Sequence, residues 1–133
     1  MSAGKRILII DDEADHAELV ALLLRRKGYE VYIAADGNAG IRCALETRPD
    51  LVLLDFFMPA IDGITTAEHL RGLEQTQEVP IVMMSACAED ALRARPPISG
   101  RFSCLAKPFR AAELLWVVQD ALEDRAAQSA VGP

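Results

Sequence analysis

The chain has 133 residues, enough for one domain with its own hydrophobic core and without disulfides or a structural metal. Hydrophobic residues make up 51%, which excludes a disordered chain, and no apolar run approaches the ~20 residues needed to span a membrane. The 14 basic and 20 acidic residues leave a net charge of −6, and no basic face suited to nucleic acid is visible. The first six residues lead straight into a strand-like run without a signal-peptide pattern, so the expected compartment is the cytoplasm. Cys43, Cys87 and Cys104 form no C-x-x-C pair and read as free thiols.

The first strand is the apolar run of residues 6–10, which ends on Asp11, Asp12 and Glu13. Over residues 15–27 apolar side chains recur at helical spacing, with Asp15 as the cap and Gly28 as the stop. Residues 30–34 alternate and are β-branched, which predicts a second strand that ends on the bland pair Ala34 and Ala35. Asp36-Gly37 reads as a turn before a helix over residues 38–47, closed by Arg48-Pro49.

Residues 51–54 are four aliphatics in a row, the pattern of a strand buried on both faces of a parallel sheet. Asp55 stands where that strand leaves the core, as a strand-end cap or a reactive group. Asp62-Gly63 is a turn signal, followed by a helix over residues 65–74. The fourth strand is predicted over residues 79–84, with Pro80 tolerable only near its start, and it leads to Ser85. A short helix over residues 88–94 must stop at Pro96 and Pro97, leaving residues 98–102 irregular. Residues 103–106 form the last strand, followed by Lys107-Pro108, and the final helix covers residues 110–124. Residues 1–124 make the domain, and residues 125–133 are expected to be a flexible tail.

Five alternations of strand and helix predict an α/β fold, with a parallel sheet between two helical layers. In such a sheet the carboxyl ends of all strands lie on one edge, where ligands bind. Asp11, Asp12, Asp55, Ser85 and Lys107 all fall at that edge. Two carboxylates ~4 Å apart repel by ~4 kcal/mol at an effective dielectric near 20. Three together call for a cation, and an all-oxygen donor set favours Mg²⁺ or Mn²⁺ over zinc. A metal, a lysine and a free carboxylate together suit phosphoryl transfer.

Asp11-Asp12, then Asp55-x-x-Met58-Pro59-x-x-Asp62-Gly63, then Ser85-Ala86, then Lys107-Pro108-Phe109, in this order, resembles the receiver domain of two-component response regulators. The resemblance implies a three-layer, doubly wound, flavodoxin-like fold with five parallel strands in the order 2-1-3-4-5. It implies that Asp55 accepts a phosphoryl group from a sensor histidine kinase or a histidine phosphotransfer protein. Asp12, Asp55 and the backbone carbonyl of Phe57 would bind Mg²⁺ directly, and Asp11 would act through a coordinated water. Ser85 would hydrogen-bond the phosphoryl oxygen, Lys107 would pair with it, and the Lys107-Pro108 bond would be cis.

The chain departs from the family at Cys104, three residues before the lysine, where receivers usually carry Tyr or Phe. The output face, made by the fourth helix, fifth strand and fifth helix, is therefore expected to be reshaped. Phe102 in the irregular stretch and an exposed Trp116 are the aromatics available there for a protein partner. Alternatively Trp116 folds over the core edge and Phe102 fills the gap at Cys104. His16 reads as a solvated surface residue. No nucleic-acid or membrane contact is expected. A stand-alone receiver with no effector domain after residue 124 is the expectation; the alternatives are a receiver part of a longer regulator or hybrid kinase, or a Mg²⁺-dependent phosphatase with an Asp nucleophile. Such phosphatases usually have a second acid two residues after the nucleophile, and here that residue is Phe57.

Overall fold

The structure is a computed structural model that describes residues 4–86 and 98–131, with side chains to residue 123. The elements run β1 (Arg6–Ile10), α1 (Ala14–Arg25), β2 (Glu30–Ala34), α2 (Gly37–Thr47), β3 (Leu51–Asp55), α3 (Gly63–Arg71), β4 (Ile81–Ser85), β5 (Phe102–Ala106) and α4 (Ala111–Val131). The helix expected over residues 88–94, together with Cys87, Pro96 and Pro97, lies outside the described residues. All strand pairs are parallel, and the order is β2-β1-β3-β4-β5, as the resemblance implied.

Successive strand residues point to opposite faces of the sheet, and this divides the core in two. Ile7, Ile9, Leu51, Leu53, Val82 and Met84 face α1 and α4, where Val20, Leu24, Leu114 and Val118 meet them. Leu8, Ile10, Val52, Leu54, Ile81 and Met83 face α2 and α3, where Ala44, Ile64, Ala67 and Leu70 close the second layer. All five residues of β3 are buried, which accounts for its unbroken apolar run. β5 lies at the sheet's end and buries only Leu105 fully.

Several boundaries move for physical reasons. Asp36 and Asp62 are helix N-caps rather than turn residues: the N–H groups of Ala39 and Thr65 each donate to their carboxylates at 2.8 Å. Gly37 and Gly63 are accordingly the first residues of α2 and α3. Asp15 does not cap α1. Glu13 holds the cap position without a side-chain bond, and Asp15 sits in the first turn, where the helix dipole favours a negative charge. β4 begins after Pro80, whose carbonyl accepts from the Val52 N–H at 3.0 Å. Phe102 is the first residue of β5, paired with Ile81, so it is not in irregular chain. The backbone of α4 stays helical to Val131, past the expected end of the last helix at residue 124.

Gly63 opens α3 directly against the backbone at the end of β3. Its N–H donates to the Phe56 carbonyl at 2.8 Å. A Cβ there would lie 2.6 Å from the Asp55 carbonyl oxygen and 2.8 Å from the Phe56 Cα, both backbone atoms that cannot swing aside. Gly63→Ala is expected to cost about 1–3 kcal/mol of stability, the usual penalty of overpacking. Urea unfolding of the two proteins checks this, and an unchanged midpoint would refute it.

Candidate functional site

Backbone pairing sets the carboxyl edge of the sheet. The Asp11 N–H donates to Ala34 at 3.0 Å, the Phe56 N–H to Met84 at 3.1 Å, and the Lys107 N–H to Ser85 at 3.3 Å. These bonds continue the ladders one step past the strands and bring the polar side chains to a common level. Asp55 closes β3 and Ser85 closes β4, and both are buried. Asp11 follows β1 and is buried, whereas Asp12 beside it is exposed.

Asp11, Asp12 and Asp55 each offer one oxygen, and these oxygens all lie within 4.8 Å of one another. Opposite ligands of an octahedral Mg²⁺ stand about 4 Å apart, given bonds of about 2.0–2.1 Å, and Mg²⁺ usually retains several waters. Three carboxylate oxygens at this spacing fit a hard divalent cation held partly through water. The donor chemistry is all oxygen, as expected from the sequence.

The Lys107 ammonium reaches this cluster from the loop after β5. Its Nζ lies 3.1 Å from Asp55 Oδ1 and 4.0 Å from Glu13 Oε1. The Lys107-Pro108 peptide bond is cis. Burial pushes the Asp55 carboxyl above its ordinary range; the Lys107 ammonium opposes that shift, and the Asp11 and Asp12 carboxylates add to it. Phe57 is 59% exposed and packs edge-on against Phe56, with ring centroids 4.5 Å apart.

His16 departs from its reading as a solvated surface residue. Its Nδ1 lies 2.6 Å from Asp11 Oδ2, and its ring meets Phe109 edge-on at 5.7 Å. One signal could have found it. Side chains in a first helical turn lean back toward the N-terminus, and that direction carries residue 16 over Asp11.

The output-face residues separate. Trp116 is 66% exposed, as expected, so the alternative in which it folds over the core edge is wrong. Phe102 and Cys104 share one face of β5, and both are partly buried against the α2–α3 side of the core. A groove of about 400 Å³ runs between β5 and α4, bounded by Arg101, Phe102, Cys104, Trp116 and Asp120. Arg71 pins the chain entering β5, because its guanidinium donates to the carbonyls of Val79 at 2.6 Å, Arg101 at 2.7 Å and Ser99.

A family model for the response regulator receiver domain matches residues 7–119. The DNA-binding dual master transcriptional regulator RpaA of Synechocystis sp. is 38% identical over 127 residues, covering 94% of this chain and 53% of that protein. The phosphate regulon transcriptional regulatory protein PhoB of Escherichia coli is 34% identical over 112 residues, covering 84% and 49%. The chain spans about half the length of these curated relatives. Among solved structures, a putative response regulator from Chloroflexus aurantiacus superposes with a TM-score of 0.82 at 34% identity, covering 90% of this chain and 98% of that one. The receiver domain of a sensor histidine kinase from Pseudomonas aeruginosa, solved with a magnesium ion coordinated in its active site cleft, gives a TM-score of 0.81 at 33% identity, covering 91% and 99%. With the sheet order, the acidic edge and the lysine in place, this chain belongs to the response regulator receiver domains of two-component signalling.

Proposed function

We propose that this chain receives a phosphoryl group on Asp55 from a phosphohistidine of a sensor histidine kinase or a histidine phosphotransfer protein, and that the transfer alters a partner-binding face. One observation carries the reading: Asp55 is a buried carboxylate at the end of the central strand, between two further carboxylates and an ammonium at 3.1 Å. In the transfer an Asp55 oxygen attacks phosphorus in line, the phosphorus–nitrogen bond to the donor imidazole breaks, and an acyl phosphate forms. Lys107 pairs with the phosphoryl oxygens and the Ser85 hydroxyl donates to one of them. Asp12, Asp55 and the Phe57 carbonyl would hold Mg²⁺ (Mn²⁺ suits the same donors), with Asp11 acting through water. When bound, the ion supplies positive charge that offsets the three carboxylates and the incoming phosphoryl oxygens. The magnesium in the related histidine-kinase receiver supports this assignment.

The receiver unit is residues 1–124, and it works as a signalling module rather than a turnover enzyme. An exposed phenylalanine, Phe57, stands where an Asp-nucleophile phosphatase would need its second acid. Its setting is cytoplasmic, in keeping with the finding that no helix among the described residues is long and apolar enough to cross a membrane. The net charge of −6 argues against direct contact with nucleic acid by this segment, although RpaA is named as DNA-binding. Output passes through the face built by Phe102, Cys104 and Trp116 to a protein partner. Incubation with acetyl phosphate followed by intact mass tests the whole reading. One added phosphoryl group in Mg²⁺, and none in EDTA, is the expected result; no uptake in either would overturn it.

The same experiment reaches the lifetime of the product. In receivers the residue two beyond the acceptor borders the path of the attacking water; by that resemblance the position is the exposed Phe57, whose phenyl ring cannot orient water by hydrogen bonding. Phe57→Asn places an amide there. It is expected to speed loss of the phosphoryl group about tenfold, which corresponds to about 1.4 kcal/mol off the barrier. An unchanged decay of the phosphorylated mass would assign water access to other loop atoms.

A further inference from the structure

The two buried carboxylates of the site each have their own compensating donor. Asp55 has the Lys107 ammonium at 3.1 Å. Asp11, whose side chain is fully buried, has two donors: the Glu13 N–H reaches Oδ1 at 2.9 Å and His16 Nδ1 reaches Oδ2 at 2.6 Å. Asp12 faces solvent. A carboxylate only accepts hydrogen bonds, so Nδ1 carries the hydrogen in the His16 contact. The edge contact with Phe109 fixes the imidazole ring, and Phe109 belongs to the loop that carries Lys107.

We propose that His16 is a positioning residue that stands in for the cation at Asp11. It supplies the buried carboxylate with a donor when no divalent ion is bound, and it holds Asp11 as an outer carboxylate while Asp12 and Asp55 face the ion. The proposal rests on the Mg²⁺ reading above. Its logic is linkage: the imidazole and the ion offset the same negative charge, so each reduces what the other gains by binding. Without His16, the metal-free fold keeps a buried carboxylate short of one donor, which is costly. The metal-bound fold suffers less, because the ion offsets the same charge. Removing the donor must therefore enlarge the stabilisation that Mg²⁺ confers and tighten its binding.

Two replacements separate the donor from the ring. His16→Phe keeps an aromatic edge for Phe109 and has no donor. His16→Asn keeps an N–H near the Nδ1 position and has no ring. Thermal unfolding in EDTA and in saturating Mg²⁺, with Mg²⁺ titration by calorimetry, is run on wild type and both variants. His16→Phe is expected to lower Tm in EDTA, to show a Mg²⁺-induced rise a few degrees larger than wild type, and to bind Mg²⁺ several-fold more tightly. His16→Asn is expected to restore the wild-type response. In an Asp11→Asn background the His16→Phe replacement should leave the Mg²⁺ response unchanged, because the charge it compensates is gone. A His16→Phe chain that folds only with Mg²⁺ gives the same answer in stronger form. Equal Tm losses in both conditions with unchanged Mg²⁺ affinity, or a chain that folds in neither, would make His16 a packing residue and overturn the proposal. A wild-type chain without any Mg²⁺ response would defeat the metal reading itself, and this proposal with it.

Discussion

Asp55→Ala is expected to take up no phosphoryl group from acetyl phosphate in Mg²⁺, under conditions in which wild type gains one. Asp11 is buried with both oxygens already accepting hydrogen bonds, and Asp12 is exposed, with no ammonium beside it among the described residues. Asp55 alone of the three pairs with Lys107 at the end of the central strand. Mass spectrometry decides the matter, and undiminished uptake by Asp55→Ala would sink the assignment. Asp55→Asn carries a second expectation, about stability. Burial raises the Asp55 pKa in the folded chain above its unfolded value, about 3.9 in model peptides. The folded state then binds the proton more tightly than the unfolded state, so ionisation costs stability. That cost is absent below the unfolded pKa, grows as pH rises toward the folded value, and is complete above it. In EDTA, Asp55→Asn lacks this titration, so its Tm advantage over wild type should widen from about pH 4 toward neutrality. A constant difference across that range would mean that Asp55 ionisation does not burden the metal-free fold.

β1 and β3 are legible because a strand buried on both faces has no polar alternation, and a carboxylate, Asp11 or Asp55, marks where each apolar run stops. The strand order was not in the pattern; it came with the resemblance carried by Asp55, Lys107 and their neighbours. Asp36-Gly37 and Asp62-Gly63 read as turns because the same Asp oxygen that closes a turn also caps a helix, and local sequence does not say which N–H it will meet. Phe102 reads as irregular chain because an end strand with one buried residue has little pattern, and its start is set by pairing with Ile81. The last helix runs past residue 124 through Ala126, Ala127 and Ala130, strong helix formers that carry no amphipathic pattern to mark its end. His16 was hidden for a different reason. Its role depends on the burial of Asp11, five residues earlier, and burial of a carboxylate is a property of the folded sheet edge.

Asp12→Ala is expected to weaken Mg²⁺ binding by more than the ~10–100-fold typical of losing an outer-shell partner, because Asp12 is assigned as a direct ligand. Each tenfold step is about 1.4 kcal/mol of binding free energy. The loss should fall on the metal and leave the fold intact. Asp12 is exposed, so its removal leaves no cavity, and its charge lies within reach of the oxygens of Asp11 and Asp55. In EDTA the variant should therefore unfold at the wild-type temperature or above it, since one of three crowded negative charges is gone. Phosphorylation by acetyl phosphate should slow together with the affinity, and raising Mg²⁺ should recover part of the rate. Calorimetric titration separates the outcomes. Equal Mg²⁺ affinity in the two proteins would remove Asp12 from the ligand set, whereas a lowered Tm in EDTA would show that Asp12 serves the fold and that the affinity loss is indirect. Asp12→Asn refines the comparison. It keeps an oxygen donor without the charge, so an affinity between those of wild type and Asp12→Ala would apportion the ion's hold on this site between coordination and charge.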